Sequence, residues 1–198
     1  MKLAAVGIRM HSGWGALVAV CGDADELEVI DRRNIVVADA GIAGAKQPYH
    51  HAVNLGLPKA ELYIENCAAV SERLASAAVR EVIGELQSRH YRVAGAGILM
   101  ASGRPLPSLA EILVSHALIH TAEGEFFRRA VRDACEHMGI TVSGFPERDL
   151  AERAKAVFGD AADRVQRKIS SLGKFLGPPW TTDQKTSALA AMIVLATT

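Results

Sequence analysis

Apolar side chains in the first forty residues come in short runs rather than at helical spacing. Residues 3–8, 15–21 and 27–37 are rich in Val, Ile, Leu and Ala. Turn-forming residues separate them at His11-Ser12-Gly13 and at Gly22-Asp23-Ala24-Asp25. This pattern predicts a three-stranded meander. Residues 41–58 carry Gly, Pro and the adjacent His50 and His51 without a clean period, which predicts a loop. A helical pattern then runs over residues 59–89. Residues 92–100 form an apolar run with Gly95 and Gly97, bounded by Ser102-Gly103-Arg104-Pro105, as expected of a buried strand. Ser108, with Glu111 three residues on, opens a second long helix expected to reach Gly139. Residues 140–143 read as a brief strand. Helices follow over 149–158, 160–172 and from Thr182 onward, with Gly177-Pro178-Pro179 as a break. The order β-β-β-α-β-α-β-α implies an α/β protein with a mixed five-stranded sheet and helices on both faces.

Composition narrows the picture. At 198 residues, about half of them apolar, the chain is expected to form a single domain over residues 1–198, able to build one core without metal or disulfide staples. Lys plus Arg equals Asp plus Glu at 22 each, so no global basic field draws the protein to nucleic acid and only a local basic face could bind phosphate. Cys21, Cys67 and Cys135 are far apart and form no CxxC pair, which speaks against a disulfide framework or zinc ribbon and for a reducing, cytoplasmic setting. The run at residues 3–6 is too short for a signal peptide, and that at 188–196 is too short to span a bilayer, so no membrane role is expected.

The layout resembles the ribonuclease H-like superfamily. The second half resembles the RuvC-type Holliday-junction resolvases: the strand at 92–100, the helix with Ser115-His116-Ala117-Leu118, the strand at Ile140-Thr141-Val142, the basic segment 158–168, and the closing helix with Asp183-Gln184-Lys185-Thr186-Ser187-Ala188-Leu189. The resemblance implies divalent metals held by carboxylates from the first strand, the end of the fourth strand and the last helix, since two-metal phosphodiester cleavage needs clustered anions. This chain departs from that set. Arg9 stands at or near the expected first-strand Asp, the run Ala96-Gly97-Ile98-Leu99-Met100 offers no carboxylate, and only Asp183 is in place. The expectation is a protein without two-metal nuclease activity, acting through protein or nucleic-acid contacts as a homo-oligomer, with its apolar last helix as the interface.

Three groups of residues carry candidate chemistry. Arg9, Ser12 and Gly13 lie in a glycine-containing turn that could cradle a phosphate, or the turn is a plain hairpin packed by Trp14. Basic residues at 128, 129 and 132 and at 164, 167 and 168 are interleaved with acids, as on a salt-bridged solvated surface. His116, His120 and Glu123 fall within one arc of the long helix, shared with Leu109, Ile112, Phe127, Ala134 and Met138. Polar groups on an apolar stripe need partners. They form a buried polar network, line a pocket, or hold a zinc-like divalent metal, although no cofactor is required by the fold. With Arg9 and Asp183, the trio would also serve an enzyme whose active site has been replaced and which acts on a phosphate-containing substrate.

Overall fold

Strands β1 (Lys2–Met10), β2 (Trp14–Cys21) and β3 (Glu28–Val36) pair antiparallel through the two expected turns. The structure is a computed structural model that describes residues 1–101 and 105–198. The expected turn at Ser102-Gly103-Arg104 lies outside the described residues. Strand β4 (Tyr91–Met100) runs parallel to β1, and β5 (Val142–Pro146) runs parallel to β4. The sheet order is β3-β2-β1-β4-β5, the mixed five-stranded arrangement expected.

Alternation along β1 separates two cores. Ala4, Val6, Ile8 and Met10 face helices α2 (Leu57–Ser88) and α4 (His116–His137), where Val82, Leu86, Phe127 and Val131 are sealed from solvent. On the opposite face Ala5, Val18, Val20 and Leu99 meet helix α8 (Thr182–Ala196). The small residues of β1 and β4 let α8 lie close against the sheet. A Cβ at Gly7 would fall 1.8 Å from the Ser187 carbonyl oxygen, and one at Gly97 would fall 2.9 Å from that of Ala190. Ser187 Oγ, wholly buried, donates to the Ala16 carbonyl at 3.0 Å. Helices α5 (Leu150–Phe158) and α6 (Ala162–Ser171) pack beside α8, and α7 (Gly173–Leu176) leads into it.

Four expectations change. The region expected as a loop holds helix α1 (Pro48–Ala52), and α2 begins at Leu57, because proline suits the first helical positions where its missing N–H is no loss. The second long helix is two: α3 (Leu109–Leu113), closed at its start by the Ser108–Glu111 capping box, and α4, which restarts after the extended Ser115. Strand β5 starts at Val142 rather than at residue 140. Gly139, at φ 72°, ends α4 in a Schellman turn in which Ile140 N–H donates to the Cys135 carbonyl at 3.0 Å and Gly139 N–H to that of Glu136 at 2.9 Å. Ile140 is thus the buried anchor of that turn. Finally, α8 is no free interface, because its residues 187–194 are buried within the chain against the sheet. Among the described residues no helix is long and apolar enough to cross a membrane.

Candidate functional site

The parallel strands β1, β4 and β5 end on one side of the sheet, the side where open α/β sheets gather ligands. Arg9 lies one residue from the end of β1, Met100 and Pro146 close β4 and β5, and Asp183 opens α8. The Arg9 guanidinium bridges two carboxylates. Its Nε and Nη2 donate to Glu147 at 3.2 and 2.8 Å, a two-pronged grip, and Nη1 donates to Asp183 Oδ1. Burial works against the Arg9 charge, but the hydrogen bonds to Glu147 and Asp183 outweigh it and hold its pKa above the ordinary arginine value. His11, stacked on Trp14 with ring centres 4.5 Å apart, brings Nε2 within 3.2 Å of the same Asp183 oxygen, out of line for a hydrogen bond.

These residues do not fit the metal pair that the fold implies. Glu147 and Asp183 are both engaged by a guanidinium, which is itself a cation and offers no lone pair to a metal. The end of β4 supplies Met100, a thioether where hard divalent ions require oxygen. Glu147, just beyond β5, is a carboxylate at this edge that the sequence did not single out. The available signal was its place directly after a short parallel strand.

Beside Glu147 a cavity of about 290 Å³ is lined by Met100, Ala101, Arg128, Pro146, Glu147 and Arg148. Arg128 Nε and Nη1 are buried and have no hydrogen-bond partner among the described residues. Burial lowers the Arg128 pKa, with Glu125 and Glu147 opposing the shift. Other arginines of the two basic segments are paired: Arg132 with Glu125 at 3.1 Å on the same helix, and Arg164, on α6, with Asp25 at 2.9 Å. The hairpin residues Ser12 and Gly13 do not join Arg9 in a phosphate cradle. Ser12 is exposed, Gly13 packs under Ala38 with its carbonyl accepting Val37 N–H at 2.9 Å, and Arg9 turns to Glu147 and Asp183.

A second cluster forms where α1 meets the start of α4. Of the expected stripe, Ile112, Phe127 and Ala134 are buried, whereas His116 and His120 are exposed and, of the three polar residues, only Glu123, at 5% exposure, is buried. The break at Val114-Ser115 starts α4 beyond the sheet, so its first turns cover α1 instead. There His50 meets them. Its ring centre lies 5.7 Å from that of His116 and 4.8 Å from that of His120, which are 4.4 Å from each other. Glu123 Oε1 accepts the His50 backbone N–H at 3.0 Å and lies 3.2 Å from His50 Nδ1. Asp183 belongs to the other cluster, with Arg9.

No protein-family model matches the chain, and no curated protein matches it. Solved structures do. The chain is similar to RuvC of T. thermophilus in complex with a Holliday junction substrate, at 10% identity and a TM-score of 0.55, over 96% of this chain and 91% of that one. A second Thermus thermophilus RuvC structure agrees at 11% identity and a TM-score of 0.55, over 96% and 92%. The fold is therefore the RuvC-type, ribonuclease H-like one.

Proposed function

We propose that residues 1–198 act as one ribonuclease H-like domain that holds the phosphate backbone of nucleic acid at the carboxyl edge of its sheet without two-metal cleavage. The observation that carries this reading is the Arg9 guanidinium held between Glu147 and Asp183. Two-metal cleavage uses carboxylates to recruit mobile cations around the attacking and leaving oxygens. Here a single cation of the chain itself engages both carboxylates. Arg128, which lines the adjoining cavity, and the exposed Arg148 supply the contacts to phosphate. The RuvC structure with a Holliday junction supports nucleic acid as the partner class. With a formal net charge of zero, the grip rests on these few residues, so its salt dependence is shallow, with a log–log slope of about −2 for two phosphates.

The test pairs cleavage with binding. Junction and duplex DNA incubated with Mg²⁺ or Mn²⁺ should stay intact, while fluorescence anisotropy should detect salt-sensitive binding that Arg128→Ala weakens by about 10- to 100-fold, the range for a lost hydrogen bond to a charged group. Metal-dependent cleavage abolished by Asp183→Asn overturns the first half. Binding unchanged by Arg128→Ala overturns the second.

A further inference from the structure

We infer that His50, His116 and His120 form a binding site for a divalent transition metal of the zinc type, with Glu123 behind it as the carboxylate that orients His50. This site shares no residue with the Arg9 cluster and is independent of the function proposed there.

Convergence is the first ground. One potential ligand nitrogen from each histidine lies within 4.8 Å of the others. A tetrahedral site with metal–nitrogen bonds of 2.0–2.1 Å needs them about 3.4 Å apart. The exposed rings of His116 and His120 can close that gap by side-chain rotation, with no backbone movement. Their spacing is i, i+4 on one face of a 22-residue helix, the arrangement by which a helix offers two imidazoles to one ion.

Local packing holds the third ligand. Tyr49 packs against the small core of Ile112, Ile119 and Ala122, and the His51 ring lies tilted at 34° against that of Tyr63, with centres 4.7 Å apart. With its two neighbours anchored, His50 is fixed toward α4. The sequence places it far away, since Glu123 is 73 residues along the chain.

The buried carboxylate is the second, independent ground. The Glu123 side chain is only 6% exposed, and no Lys or Arg lies within ion-pair distance of it among the described residues. A carboxylate in that position calls for positive charge nearby. Among the described residues His50 is its charge partner: Nδ1 lies 3.2 Å from Glu123 Oε1, out of line for a hydrogen bond as it stands, and closing that line on metal binding would put the proton on Nδ1 and leave the Nε2 lone pair free. A bound divalent ion completes the balance: carboxylate, imidazole, metal. Three nitrogen ligands select zinc-like ions over Mg²⁺ or Ca²⁺, and the exposure of His116 and His120 leaves a fourth position open to water or a substrate oxygen.

The experiment is calorimetric titration of chelator-treated full-length protein with Zn²⁺ alone, repeated with Co²⁺ to read the tetrahedral visible spectrum. One ion per chain should bind. His116→Ala and His120→Ala, both at exposed positions, should lower affinity at least 100-fold with unchanged circular dichroism and melting temperature of the metal-free protein. Glu123→Gln should lower it 10- to 100-fold, as expected of a carboxylate behind a ligand. His137→Ala, on the same helix outside the cluster, should bind as the unaltered chain does. Absence of saturable binding by the folded protein, or unchanged affinity in both His116→Ala and His120→Ala, overturns the site.

Discussion

Cys135 is sealed in α4, and burial pushes its thiol up to about 12, with Glu136 adding to the shift. An unfolded chain ionises this thiol at its ordinary value of 9.0. The folded state therefore binds the proton more tightly, and the stability it contributes is complete below pH 9 and is lost as pH rises toward 12. The denaturation midpoint should fall across that window, by up to ~1.4 kcal/mol per pH unit for this group, and Cys135→Ala should show a shallower fall. An equal slope in both proteins would refute the assignment. Burial also raises Cys21 and Cys67, so some slope remains. All three are unpaired and buried, in keeping with the absence of a disulfide framework expected from their spacing. Other residues were not readable in the same way. Glu147 reaches Arg9 across 138 positions, and His50 reaches Glu123 across 73. Only the place of Glu147 directly after a short strand hints at its role, and nothing local ties His50 to Glu123, because each acquires its partner only when separate elements are brought together.

At the scale of elements, strands and helices were visible where a period or an apolar run persisted, and lost where tertiary geometry intervened. Val114-Ser115 contains neither Gly nor Pro, and His116, His120 and Glu123 continue the spacing of Leu109 and Ile112, so periodicity passes straight across the break. The apolar character of α8 was plain, but apolarity does not distinguish a helix buried in its own chain from one awaiting a partner. Gly7 and Gly97 resolve that question. They are the positions at which α8 lies against the sheet, and any side chain at Gly7 would meet the Ser187 carbonyl. Gly7→Val should therefore displace α8 and destabilise the fold by more than the ~1–3 kcal/mol usual for overpacking, since the obstacle is backbone rather than a side chain that can turn aside. Chemical denaturation measures this, and a variant as stable as the parent would mean that α8 sits farther from β1.

The whole molecule is one sheet with a separate apolar layer on each face, and neither layer can persist without the strands they share. Leu86 is buried in the first layer and Met192 in the second. Leu86→Ala and Met192→Ala should each lower stability by about 2–5 kcal/mol in a single unfolding transition. With the sheet between them, their effects should add within about 0.5 kcal/mol in the double variant. Two resolved transitions would show instead that the layers unfold apart. The pairing of Arg9 with Glu147 and Asp183 has its own consequence at this scale. A magnesium ion can be withheld, exchanged or stripped by a chelator, so activity that depends on one is revocable. A guanidinium carried on the chain is permanent, and whatever this edge of the sheet holds, it would hold identically in a cell starved of magnesium and in a tube of EDTA.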